Sequence, residues 1–183
     1  RELTAGSAGQ PTVAQIDAVA RDIFGIGMGP FALMNLTGPP IALHSTNHLA
    51  EQLDTLRYLG AQNLHELVAE GAMWVLDGGT ECEPSATQII RERLLGCVFA
   101  VADHIVQEDI CSMEDVDRGA KVGLRWAQGP FEMMNRIGIS EAFDMAQAYA
   151  VLCGDDFAAP STLAAQVEEG QDFSFTVIDV SVK

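Results

Sequence analysis

The stretch Met28-Gly29-Pro30-Phe31-Ala32-Leu33-Met34-Asn35 returns one hundred residues later as Gln128-Gly129-Pro130-Phe131-Glu132-Met133-Met134-Asn135. Working outward, Ile16 to His44 lies on Val116 to Asp144 without a gap, so that Asp17, Ala20, Gly38 and Ala42 recur as Asp117, Ala120, Gly138 and Ala142. Downstream, Leu64 to Gly71 faces Leu163 to Gly170 at a displacement of 99. Two blocks in the same order at nearly the same spacing identify an internal duplication, which has to be recognised before any motif is read. The first copy is assigned to residues 1–80 and the second to residues 81–183.

Each copy reads as helices joined by short turns. Thr12-Val-Ala-Gln15 and Ser112-Met-Glu-Asp115 place a hydroxyl three residues before an acceptor, a capping-box arrangement or a close relative. Pro30 and Pro130 interrupt the first helix of each copy and suit the first turn of a new one, which Gly38 and Gly138 should stop. A further helix follows, with apolar positions Ile41, Leu49, Leu53 and Leu56 in the first copy and Ala142, Phe143, Ala146, Tyr149 and Ala150 in the second. Ahead of the second copy a long helix is expected from Thr87 to about Ile110, with Ile90, Leu94, Val98, Val101 and Ile105 as its buried stripe. In the first copy only the last turns of that helix would fall after residue 1, and a packed unit is not expected to leave the resulting groove open. The fold class is therefore all-α, a tandem duplicated helical domain, with the β-prone Phe173 to Val182 as a short strand or extended tail.

Composition narrows the function classes. A chain of 183 residues with 48% hydrophobic and 20% charged residues can bury a sizeable core. Its 26 acids against 10 bases give a net charge of −16, which repels phosphate backbones and anionic lipid, and nucleic acid and membranes are excluded as partners. The longest apolar run, Leu94 to Ala102, is too short to span a bilayer. Cys82, Cys97, Cys111 and Cys153 form no C-x-x-C pair, so reduced thiols in a cytoplasmic protein are expected.

The chemistry visible in the residues is sparse. Gly25-Ile-Gly-Met-Gly29 follows a helix rather than a strand and runs into Pro30, so a tight interhelical turn is expected in place of a dinucleotide loop. His44 and His48 stand one helical turn apart, yet their intervening residues lack a metalloprotease glutamate and His44 faces Asp144 in the other copy; no metal site is assigned. Neither His65 nor His104 has a motif partner for nucleophilic catalysis. Asn35 and Asn135, amides on otherwise apolar helical faces, need hydrogen-bond partners, and bonding across the repeat is expected ahead of substrate contact.

The repeated blocks resemble the C-terminal domain of the L-3-hydroxyacyl-CoA dehydrogenase family. The residues that carry the likeness are Gln15-Ile-Asp17, Met28-Gly-Pro-Phe31, Asn35, Gly38 and Leu64 to Gly71 in one copy. In the other they are Glu114-Asp-Val-Asp117, Gln128-Gly-Pro-Phe-Glu132, Asn135, Gly138 and Leu163 to Gly170. The resemblance implies an all-helical domain of the 6-phosphogluconate dehydrogenase C-terminal-like fold. Such domains pair with one another and close over an acyl-CoA held against a separate Rossmann domain, where NAD binds. Two tandem copies would make the pairing inside one chain.

By that resemblance the chain is the acyl-CoA-facing and dimerisation-type region of an NAD-dependent dehydrogenase of fatty-acid β-oxidation type. The catalytic His and Glu belong to the Rossmann domain, which these residues do not include. The family's catalytic amide would precede Arg1, and Glu92-Arg93 stand at its place in the second copy. No residue is assigned a catalytic, cofactor-binding or metal-binding role, and the chain alone is expected to be inactive. Gly29, Pro30, Phe31, Met34 and Asn35, with Gly129, Pro130, Phe131, Met134 and Asn135, are the candidates for substrate-facing or repeat-interface positions. The competing reading is a stand-alone, non-catalytic helical binding or oligomerisation module. Homo-oligomers are compatible with either.

Overall fold

The computed structural model describes residues 11–154 and 158–174. The chain divides into two compact units: unit 1 holds residues up to Ile23 and Gly27–Ile90, and unit 2 holds Phe24–Ile26 and Arg91 onward. Among the described residues, unit 1 is built from α1 (Val13–Phe24, its last residue in unit 2), α2 (Pro30–Thr37), α3 (Pro39–Gln52), a 3-10 turn at Leu56–Tyr58, and α4 (Gln62–Ala69). The long α5 (Pro84–Gln107) passes from one unit into the other. Unit 2 continues with α6 (Met113–Gly123), α7 (Pro130–Ile137), α8 (Ile139–Cys153) and α9 (Ser161–Glu169). Helices α1 to α4 thus correspond in order to α6 to α9. The β-prone segment lies outside the described residues beyond Ser174.

Local chemistry sets the helix ends. At the start of α1 the Thr12 N–H donates to Gln15 Oε1 at 2.8 Å and the Gln15 N–H donates to Thr12 Oγ1 at 3.2 Å, a reciprocal capping box. At the start of α6 the Asp115 N–H donates to Ser112 Oγ at 3.2 Å, and Glu114 and Asp115 place negative charge on the first turn. Gly38 ends α2 and begins α3 with a single residue at φ 102°, and Gly138 does the same between α7 and α8 at φ 108°. A side chain at such a φ would be strained, so these one-residue corners require glycine.

The packed interior differs from the sequence reading in two places. In α5 the buried residues are Ile90, Leu95, Gly96, Phe99, Ala100, Ala102 and Asp103, whereas Leu94, Val98, Val101 and Ile105 are half-buried. The face is turned by about one residue because Gly96 brings α5 onto the backbone of α8; a Cβ there would lie 2.5 Å from the Met145 carbonyl oxygen. In α3 the expected face of Ile41 and Leu49, with Leu53 and Leu56 beyond it, is exposed, while in α8 Ala142, Ala146 and Ala150 are buried and Phe143 and Tyr149 half-buried. Elsewhere unit 1 closes on Val13, Ile16, Ala20, Ile23 and Leu64, and unit 2 on Phe131, Met133, Met134, Met145 and Leu163.

Candidate functional site

The repeated Asp and Gly-Pro-Phe residues meet in space. In unit 1 the Asp17 carboxylate accepts the backbone N–H groups of Phe31 and Ala32, each at 2.8 Å. In unit 2 Asp117 accepts those of Phe131 at 2.8 Å and Glu132 at 3.1 Å. A buried carboxylate from one helix thereby caps the next helix, supplying acceptors for its unpaired first-turn donors and a negative charge at its positive end. Proline at the first position has no donor to satisfy. Gly29 and Gly129 lie directly beneath the carboxyl groups, and a Cβ on either would fall inside them. Burial raises the Asp117 pKa above its ordinary value, outweighing the two amide bonds that lower it.

Unit 2 adds a feature that unit 1 lacks. Glu132 Oε2 accepts the Gly129 N–H at 3.0 Å while its Oε1 meets Lys121 Nζ at 2.8 Å, with both side chains largely buried. The residue at the corresponding place in unit 1 is Ala32.

The two repeated amides close each unit at its far end. Asn35 Nδ2 donates to the Trp74 carbonyl at 2.9 Å and its Oδ1 accepts the Trp74 N–H at 2.9 Å. Asn135 makes the same pair of 2.9 Å bonds with the backbone of Phe173. Each amide imitates a strand neighbour for the passing chain, so the bonds stay within a unit instead of crossing the repeat. The aromatic side chains follow: Phe31 meets the Trp74 ring edge-on at 4.9 Å and Phe131 meets Phe173 edge-on at 5.1 Å. Pro130, Phe131 and Met134 are buried, and Pro30, Phe31 and Met34 are half-buried.

A third carboxylate was missed in the sequence. Asp103, fully buried in α5, accepts the Leu163 N–H at 2.7 Å and the Thr162 N–H at 3.4 Å, capping α9 from another helix. Burial raises its pKa, with those two amide bonds pulling the other way. The signal was a single acid inside an otherwise apolar run.

Unit 2 also carries an open groove of about 750 Å3 lined by Glu92 and Arg93 of α5 and by Glu141, Asp144, Gln147 and Tyr149 of α8, with Met145, Val151 and Leu152 as apolar walls. The Tyr149 hydroxyl is hydrogen-bonded to the thiols of Cys97 and Cys153, and burial first, then those thiols, push its pKa up, so it remains a neutral phenol. Acids, one guanidinium and an un-ionised phenol provide for binding and orientation more than for proton transfer at neutral pH.

The Gly25–Gly29 turn leads into the N-terminus of α2, but the N–H groups there are already held by Asp17, and a phosphate would meet that carboxylate. The residues present therefore do not fit NAD at this loop. His44 and His48 are exposed on α3 with rings nearly parallel and 6.0 Å apart. Among the described residues no three His, Cys, Asp or Glu side chains cluster to hold a metal ion. No described helix is long and apolar enough to cross a membrane.

Comparison with known proteins bears on this arrangement. The sequence matches the family described as 3-hydroxyacyl-CoA dehydrogenase, C-terminal domain, over residues 4–78 and again over residues 90–174. Among solved structures, the crystal structure of 3-hydroxybutyryl-CoA dehydrogenase from Escherichia coli K12 superposes with a TM-score of 0.67 at 13% identity, over 87% of this chain and 55% of that one. At that identity the likeness establishes the fold, and this chain spans about half the length of that enzyme. No curated protein sequence matches it.

Proposed function

The chain belongs to the 3-hydroxyacyl-CoA dehydrogenase C-terminal domain family, matched once in each half, and from that premise we propose that it is the acyl-CoA-facing and pairing region of a longer NAD-dependent L-3-hydroxyacyl-CoA dehydrogenase. The double match is the observation that carries the reading. The duplicated helical region would fix the place of a separate nicotinamide-binding domain and wall the acyl chain, contributing orientation while that domain supplies the hydride chemistry. Glu92 standing where the family's first helix carries an amide supports a second copy that has no catalytic part and serves for packing. The capped Gly-Pro helices suit that role, because their ends are anchored internally and need no ligand to order them.

The test is turnover. Chain 1–183 alone should not oxidise NADH with acetoacetyl-CoA, and the complete reading frame should. Turnover by the isolated chain would overturn the division of labour. A complete frame that encodes no nucleotide-binding strand–turn–helix would favour a stand-alone, non-catalytic module of the same fold.

A further inference from the structure

Where Gly96 brings α5 onto α8, a Cβ on the glycine would lie 3.3 Å from the Cβ of Tyr149 as well as 2.5 Å from the Met145 carbonyl oxygen. That contact draws three heteroatoms together within unit 2. Cys97 follows the glycine on α5, and Tyr149 and Cys153 stand one turn apart on α8, so that both thiols bond to the single Tyr149 hydroxyl. Both cysteines are free and half-buried. Two groups bonded to one oxygen stand about 4–6 Å apart, which is hydrogen-bond geometry alone. Two sulfurs held on opposite sides of one metal ion stand about 4–5 Å apart, so the pair is already near that spacing. Unit 1 has Leu49 and Leu53 at the places of Tyr149 and Cys153, and the repeat is therefore built there without any heteroatom.

We propose that Cys97 and Cys153 form a two-thiolate site in unit 2 for a soft monovalent ion, copper(I), with the Tyr149 oxygen beside it. The donor set selects the ion. Thiolates favour soft metals, and copper(I) is content with few ligands. Zinc would need four, and among the described residues no three His, Cys, Asp or Glu side chains cluster to supply them. Binding forms two S–Cu bonds, breaks two S–H bonds and releases two protons to water, with no change of oxidation state. The occupied site carries one negative charge. Arg93, one turn before Cys97 on α5, brings a guanidinium to the same side of that helix. The groove that Arg93 and Tyr149 line is open, which gives the ion a route in from solvent.

The experiment titrates reduced chain 1–183 with copper(I) under argon, in competition with the chromogenic copper(I) chelator bicinchoninate. The chain should take one ion per molecule from the chelator and develop the ultraviolet absorption of copper–thiolate charge transfer. Cys97→Ser and Cys153→Ser should each lose both signals, whereas Cys82→Ser and Cys111→Ser should keep them. Tyr149→Phe should keep the ion, because both thiols remain. In the unaltered chain, bound copper(I) should shield Cys97 and Cys153 from iodoacetamide and leave Cys82 and Cys111 reactive, a readout that no folding defect of a variant can mimic. The proposal is overturned if copper(I) stays with the chelator, if Cys82→Ser or Cys111→Ser loses the ion, if only one of Cys97 and Cys153 matters, or if the shielded thiols are a different pair. None of these readouts measures turnover, so the site and the proposed activity stand or fall separately.

Discussion

Gly129 lies directly beneath the carboxylate of Asp117, with no room for a Cβ between the glycine backbone and the acid that caps its helix. Gly29 and Asp17 repeat the relationship in unit 1. The first consequence is that Gly129→Ala should destabilise unit 2 by about 1–3 kcal/mol, through overpacking and displacement of the cap. Urea unfolding followed by circular dichroism measures the loss. Asp117→Ala should cost a comparable amount, and combining the two changes should cost less than their sum, because both disable the same contact. Full additivity would show that the glycine and the acid act separately.

Removing the amide of Asn35 should free the chain at Trp74. Asn35→Ala deletes both bonds to the Trp74 backbone and is expected to cost about 1–3 kcal/mol. Trp74 emission should shift to longer wavelength as its edge contact with Phe31 loosens. An unshifted spectrum with unchanged stability would mean that ring packing alone holds this segment.

Acidity supplies a signed test. Asp103 and Asp117 both hold their protons to higher pH in the fold than the ordinary value of 3.8, because burial disfavours the charge more than the amide donors favour it. The unfolded chain gives up those protons first, so the folded state binds more protons between 3.8 and the raised values. Their contribution to stability is thus whole below about pH 3.8 and is lost as pH rises through the folded pKa values. Near Asp117 the charges of Glu132 and Lys121 oppose one another. Asp117→Asn should make the urea midpoint fall less steeply from acid to neutral pH than in the unaltered chain. A steeper fall would show that the amide bonds outweigh burial.

Glu132 gives a difference between the copies that can be moved from one to the other. Glu132→Ala removes both the bond from the Gly129 N–H and an ion-pair partner of the largely buried Lys121, and should cost about 1–3 kcal/mol. Unit 1 has Ala32 at this place and Arg21 where unit 2 has Lys121. Ala32→Glu should therefore stabilise unit 1 by about 0.5–1 kcal/mol by completing the capping box at Gly29. Thermal melting of the variant checks it, and a lowered midpoint would mean that the new carboxylate repels Asp17.

Much of this fold was legible from short-range signals. The duplication, the caps at Thr12 and Ser112, the Pro30 and Pro130 helix starts and the Gly38 and Gly138 corners each depend on residues within a few positions of one another. The carboxylate caps were not legible, because Asp17 and Asp117 act 14 residues away and Asp103 acts 60 residues away. Periodicity finds which side of a helix is apolar but not whether anything lies on it, and α3 shows the difference: Leu49 and Leu53 follow helical spacing and still face water. In α5 the four-residue step through Leu94 and Val98 drifts off the contact line, which runs through Leu95, Phe99 and Ala102 and includes an acid that a hydrophobic count discards. As for a site, the conspicuous motif residues proved to be joined to one another. The groove at Glu92, Arg93 and Tyr149 gathers residues from two helices that no single motif unites.

Every acid-to-amide and amide-to-chain fastening described above begins and ends in the same half. Leu36 and Ile41 stand where the second half keeps Arg136 and Glu141. The two halves differ freely at such outward positions while the same internal fastenings hold each in shape.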